Sequence, residues 1–293
     1  MKTSVVICTR NRPEEIKAFI SSLYQQIEQS SELIIVDSSD QPMNEEVEFN
    51  ALINREDIEV LYLHTAPGLA KQRNEGVLAA TGDIIYFFDD DVILHEHDYL
   101  RKMNRIYREH TEYTGGMGTI DNLPKNLRRL LWNLFCKIFL LNSIYGNGKV
   151  FLSGYGSFPH GRNHDFMDTE ILIGMLQSYR REVFDEFWFD EKLWGQKVWM
   201  EDIDFSYRVS RKYRLFFYPD AKLEHYHTVN DSRERRMQFL YNHRYFFFKN
   251  FYSRNRLYLI PHWWSILGLF VQSILNIDID YICSKIKSYY LMV

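Results

Sequence analysis

The stretch Ile84-Ile85-Tyr86-Phe87-Phe88-Asp89-Asp90-Asp91 decides how this chain is read: five apolar residues run straight into three carboxylates. A short, unbroken apolar run is the pattern of a strand buried on both faces, as in a parallel sheet. Three adjacent carboxylates repel one another and cost stability unless a cation offsets their charge. Alternate side chains of an extended segment point the same way, so Asp89 and Asp91 can face one site. Hard oxygen ligands suit Mg2+ or Mn2+, and such an ion usually also binds substrate phosphates. On this stretch alone, an acidic surface turn after a strand is an equal alternative.

Upstream, the same grammar repeats. Ser4 to Cys8 (SVVIC) reads as a buried strand, followed by the polar loop Thr9-Arg10-Asn11-Arg12-Pro13. Pro13-Glu14-Glu15 opens a helix in which Ile16, Phe19, Ile20 and Leu23 carry helical spacing. Leu33 to Val36 is a second strand, ending at Asp37-Ser38-Ser39-Asp40, and Val60 to Leu63 a third. Gly68 to Ala80 reads as a helix closed by Thr81-Gly82. Strands alternating with helices predict a parallel sheet with right-handed crossovers. Ligands of such sheets bind at the carboxyl ends of the strands. The loops after the first, second and fourth strands therefore meet at one cleft. Within Gly68 to Gly76, Lys71 or Arg73 could face a pyrophosphate, Arg73 in bidentate fashion; a solvated helix face is the alternative. Neither a GxxxxGK[ST] loop nor a GxGxxG fingerprint is present.

Downstream, residues 114–165 are rich in Gly, Asn and His around an apolar and basic stretch, RRLLWNLFCKIFLL at 128–141. Glu170 to Leu176 reads as a strand, and Leu215 to Tyr218 as another before Pro219-Asp220. Glu201-Asp202-Ile203-Asp204 is a strong helix start with acidic residues in its first turn. A carboxylate there, held near the cleft, could take the proton of an attacking hydroxyl; plain capping of the helix is the alternative. His225 or His227 could add a nitrogen ligand to a metal, or be a half-buried structural histidine.

The bulk properties narrow the field. The chain has 293 residues, 46% hydrophobic and 25% charged, enough for one large domain or a domain with a tail. Aromatics reach 16%, and they line sugar sites and membrane interfaces as well as cores. A net charge of -4 argues against a nucleic-acid partner, which needs a basic face. Cys8, Cys136 and Cys283 are odd in number and far apart, so a reducing compartment is expected rather than a disulfide framework. No signal-peptide pattern is visible, and a cytoplasmic location is the expectation.

Taken together, VVICTRNRP, IIVDSSD, GLAKQRNEG, IIYFFDDDV and WMEDIDFSYRV resemble, in order and spacing, the family 2 glycosyltransferases of the GT-A fold, over roughly residues 3–250. The resemblance implies a Rossmann-like, mostly parallel α/β sheet flanked by helices, with a C-terminal helical extension. It implies an inverting transferase of the bacterial surface-polysaccharide type, with Mn2+ or Mg2+ as cofactor. A nucleotide-sugar donor, UDP- or dTDP-linked, and a glycan or lipid-linked glycan acceptor follow. By the same resemblance Thr9, Arg10, Arg12 and Asp37 hold the nucleotide, with Arg73 near it and Lys71, Asp89 and Asp90 on the nucleotide-sugar side. Asp91 is the direct metal ligand, Asp89 lies nearer the ribose, and His225 suits the metal site better than His227. Asp202 looks like the general base, with Glu201 beside it in the ED motif. Three departures stand out: Asp37-Ser38-Ser39-Asp40 lacks the family's Gly, a Gly-Gly pair survives only as Gly174-Met175, and an Arg-Asn pair reads Asn242-His243-Arg244.

The expected organisation is a catalytic domain over 1–250, divided into a nucleotide-sugar half (1–110) and an acceptor half (111–250), then an apolar helical tail over 251–293. Residues 257–275 approach the length that spans a bilayer, but Pro261, His262, Ser265 and Gln272 interrupt them. Peripheral membrane contact through 128–141 and 257–275, at the inner face of the cell membrane, stands against a helical subdomain or a homo-oligomer interface. A sugar-nucleotide nucleotidyltransferase would need a Gly-rich loop that Thr9 to Pro13 does not provide. A non-catalytic binding module should have lost part of the DxD or ED set.

Overall fold

The computed structural model describes residues 1–275 apart from 27, 55–57, 123–126, 144–145, 160–165, 194, 196–199 and 227–232; Cys283 and His227 lie outside the described residues. Strands β1 (Thr3–Thr9), β2 (Glu32–Asp37), β3 (Glu59–His64) and β4 (Ile84–Asp89) run parallel in the order β3-β2-β1-β4. The apolar runs of β1, β2 and β4 are buried on both faces, whereas edge strand β3 is partly open. Their crossovers are α1 (Pro13–Leu23), α2 (Val47–Ile53) and α3 (Leu69–Ala79). The proline opens α1, which buries Ile16, Phe19, Ile20 and Leu23 against the sheet. Register places Thr9 level with Asp37, Asp37 with His64, and Cys8 with Asp89, so every polar loop leaves from one edge.

The second half completes the sheet. After β5 (Val92–Ile93) and α4 (Tyr99–Glu109) come β6 (Tyr113–Ile120) and α5 (Leu127–Ile138). A two-stranded ribbon, β7 (Lys149–Val150) and β8 (Gly156–Ser157), stands off the main sheet. Next are β9 (Met167–Thr169), β10 (Gln177–Arg180), α6 (Glu201–Ser210) and β11 (Arg214–His225). Antiparallel β10 is inserted between β4 and β6, and β6 runs parallel to β11. β11 is longer than its sequence signal suggested. Its register shifts between Phe217 and Lys222, around Pro219, and its far end pairs with β5 at Val92 and His225.

The strand expected over Glu170 to Leu176 is not formed. Gly174–Leu176 is a single 3-10 turn, and the strand follows it at Gln177. The Gly174 N–H points to the Asp202 carboxylate at 2.8 Å instead of into a ladder.

Beyond β11, α7 (Arg233–Phe247) continues into a π-helical turn, Phe248–Tyr252, and α8 (Leu259–Leu275) follows. Residue 250 therefore sits inside a helical turn. Phe246, Phe247 and Phe251 share one small core with Phe158, Met200, Ile203 and Tyr207. Ile266 and Leu269 of α8 share another with Cys136, Leu141, Tyr155 and Leu240. The described part of the C-terminal segment is thus packed onto the region between β6 and β9 and onto α6 and α7.

Candidate active site

The end of β4 is built around Arg12. Its guanidinium donates to Asp90 and, at 3.0 Å, to Asp91 Oδ2, with Glu15 at 3.4 Å on the other side. Thr9 Oγ1 donates to Asp90 at 2.8 Å, so this carboxyl, although buried, has two donors. Burial pushes Asp90 up to about 7, against the pull of Arg12. Pairing of β5 with β11 brings His225 to Asp91, and the Tyr226 N–H donates to the Asp91 carbonyl at 2.9 Å. Asp91 Oδ1 is buried and lies 3.1 Å from His225 Nε2. Burial opposes ionisation of Asp91, yet His225 and Arg12 together hold its carboxyl below the usual carboxylate range.

A second acidic pair lines the same cleft. Met200, buried and left-handed at φ 85°, turns the chain into α6, whose first residues are Glu201 and Asp202. A non-glycine residue in this conformation is strained, and such strain persists where surrounding structure enforces it. Here α6 is tied to the π-helical turn after α7 through Asp204, which accepts from Lys249 at 2.9 Å and Asn250 at 3.0 Å. Arg73, only 2% exposed, reaches from α3 to Glu201 at 2.6 Å and to Asp89 at 3.3 Å. Burial raises the Glu201 carboxyl above its ordinary range, the nearby Asp202 adds to this, and Arg73 opposes both. Asp202 accepts from the N–H of Gly174 and of Ile203, both at 2.8 Å. Burial raises its carboxyl too, with Arg73 and these backbone donors opposing.

One cleft is lined by Thr9, Arg10, Arg12, Arg73, Asp89, Asp90, Asp91, Glu201, Asp202 and His225. Two residues expected on the nucleotide side stand apart from it. Asp37 is fully buried and accepts from the N–H of Ser39 and Met43 and from the Tyr62 hydroxyl, so it shapes its own loop. Lys71 is half-buried on α3 outside the lining. Arg73 does line the cleft, but its guanidinium faces two carboxylates. The sequence reading did not single out Asn142, Phe158, Met200 and Phe239, which also line the cleft. Gly174 and Met175, which the sequence did mark, line it as well.

The donor set bears on a metal. A carboxylate oxygen and an imidazole nitrogen converge at Asp91 and His225, a combination suited to Mn2+. No group of three His, Cys, Asp or Glu side chains able to hold a metal exists among the described residues. The residues therefore fit an ion that completes its shell with water and substrate oxygens.

A mostly parallel α/β sheet, with an acidic run at the end of β4 and a second acidic pair lining the same cleft, is the arrangement of a glycosyltransferase of the GT-A fold. Residues 4–188 match the family described as Glycosyl transferase family 2, and the chain belongs to that family. Among curated proteins it is similar to the uncharacterized glycosyltransferase YwdF of Bacillus subtilis (strain 168). The two are 26% identical over 224 residues, 76% of this chain and 73% of the relative. Among solved structures it is similar to GalNAc-T7 with UDP, GalNAc and Mn2+, with a TM-score of 0.59 and 16% identity over 86% of this chain and 50% of that one. The mannosyltransferase PcManGT from Pyrobaculum calidifontis, in complex with GDP-Man and Mn2+, gives a TM-score of 0.57 and 14% identity over 99% of this chain and 85% of that one. S. aureus TarS 1-349 gives 0.53 and 17% over 99% and 92%. The chain spans 43% of the longer TarS chain. At these identities the structural likenesses establish the fold.

Proposed function

We propose that the cleft transfers a glycosyl group, with inversion, from a UDP- or dTDP-sugar to a hydroxyl of a glycan or lipid-linked glycan. The observation that carries this reading is the convergence on one cleft of the Asp91–His225 pair and Asp202. Arg12 and Thr9 orient the acidic run on the donor side. Asp202 takes the proton of the acceptor hydroxyl as that oxygen bonds to the anomeric carbon. The bond from that carbon to the diphosphate oxygen breaks, and the nucleoside diphosphate leaves with the electron pair. The raised carboxyl of Asp202 makes it a better base than an ordinary aspartate. Arg73 holds Glu201 and Asp89 in place. Asp91 and His225 would hold Mn2+ or Mg2+, which supplies positive charge to the departing diphosphate. Phe158 and Phe239 offer the acceptor sugar ring faces to pack on.

The proposed location is the cytoplasm, at the inner face of the membrane. Cys8 and Cys136 are free thiols, which supports a reducing compartment.

Thermal unfolding with UDP, dTDP and GDP, each with and without Mn2+, tests the reading. One nucleotide should stabilise the protein saturably in the presence of Mn2+, by about 2.7 kcal/mol at a hundred times its Kd. Asp91→Ala should remove the Mn2+-dependent part. Absence of stabilisation by every nucleotide would sink the proposal.

A further inference from the structure

Two helices outside the cleft each carry two apolar faces. α5 and α8 lie against each other: Trp264 Nε1 donates to the Ile138 carbonyl at 2.8 Å, and the rings of Phe139 and Trp264 stack with centroids 5.2 Å apart. Gly268 is where the helices touch, since a Cβ there would lie 2.3 Å from Phe139 Cβ. The inner face of α8 buries His262, Ile266 and Leu269. The outer faces are largely exposed. Leu131, Leu134 and Ile138 of α5 are 60%, 56% and 55% exposed, and Ile260, Trp263 and Leu267 of α8 are 69%, 55% and 48% exposed. Within each helix these residues follow three- and four-residue spacing, so the exposed set forms a stripe rather than scattered single residues.

Charge singles out the same region. Residues 122–164 and 235–277, which contain both helices, include twelve of the chain's 35 basic residues and none of its 39 acidic ones. Lys149 and Lys249 among them pair with acids from elsewhere in the fold, and Arg254 and Arg256 stand exposed at the approach to α8. An apolar stripe bearing Trp beside basic residues, in an otherwise acidic chain, matches an anionic lipid surface. A second copy of the same face would instead set two basic segments against each other.

We propose that α5 and α8 together form a face that docks on an anionic bilayer, with both helices lying in the plane of the interface. Arg256–Ile274 is long and apolar enough to cross a membrane, at a mean hydropathy of 1.2, but a third of it is buried. Crossing would strip α8 from Ile138, Phe139 and Tyr155. Phe239 packs in the small core beneath this face and also lines the cleft. Docking therefore sets the acceptor side of the cleft beside the lipid, a consequence that rests on the transferase reading; the docking itself does not.

Co-sedimentation with phosphatidylcholine vesicles, and with vesicles in which about a third of the lipid is phosphatidylglycerol, tests the inference. The full chain should pellet with the anionic vesicles, less so as salt rises. Ile260→Glu/Leu267→Glu should bind at least about tenfold more weakly with unchanged Tm and nucleotide binding. Trp263→Ser serves if the double variant does not fold. No binding to anionic vesicles, or equal binding by the variants, overturns the proposal. So does a wild-type dimer that the same substitutions convert to monomer, which would give the face to a second copy. The assay contains neither donor nor acceptor, so it can fail while the transferase reading stands, and the reverse.

Discussion

Arg73 and Gly174 show how tightly single residues are constrained at the centre of the cleft. Arg73 is held by Glu201 and Asp89, and a Cβ on Gly174 would lie 2.6 Å from its Nη2. The guanidinium has nowhere to retreat without abandoning a buried carboxylate, which is costly. Gly174→Ala is therefore expected to lower stability by about 1–3 kcal/mol. It should also lower kcat by at least roughly tenfold through the displaced Asp202, which accepts from the Gly174 N–H. A thermal melt and a kcat measurement check this; wild-type values for both would refute it. At this scale the sequence was legible where charge is concentrated. Asp89, Asp91, Asp202 and His225 were readable because runs of acids and a histidine after a strand are conspicuous. Met200, Phe158 and Phe239 were not, because a hydrophobic residue lining a cleft has the same letter as one in a core. Asp37 was legible as an acid, but not as one engaged by its own loop.

Among the elements, the parallel half was readable nearly to the residue, since short apolar runs and proline or glycine punctuation set β1, β2, β4, α1 and α3. β10 and the far half of β11 were not, because both depend on partners distant in sequence. The junction of α7 and α8 offers an element-scale test. His243 and His262 are buried there with ring centroids 5.7 Å apart, His262 stacking on Phe247 at 4.0 Å. Burial holds His262 down at about 4 and His243 well below its ordinary 6.5. A depressed folded-state value means the unfolded chain takes up protons first. The stability contribution is thus complete above about 6.5 and lost as pH falls towards 4. For His262 the loss approaches roughly 3 kcal/mol. Urea midpoints of wild type and His262→Asn between neutral and acid pH should converge as pH falls; a constant gap would count against this.

At the scale of the whole molecule, composition and motif order fixed the class, and the GT-A arrangement accounts for why five separated motifs reach one edge of a sheet. What composition did not disclose is that the C-terminal apolar segment is built into the body. α8 completes a small core with Cys136, Leu141 and Tyr155. Hydropathy marks that segment as apolar without saying which of its faces another helix covers. The proposed reaction is transfer from a nucleotide sugar, with Asp202 as base and Asp91 and His225 holding a divalent ion in the same cleft. Its most direct test is release of nucleoside diphosphate from UDP-, dTDP- and GDP-sugars by the purified protein with Mn2+. One donor should release its nucleotide, EDTA and Asp91→Ala should abolish the release, and Asp202→Asn should lower it by about a hundredfold or more. Release that survives both EDTA and Asp202→Asn, or none from any donor with or without acceptor glycans, would contradict the account.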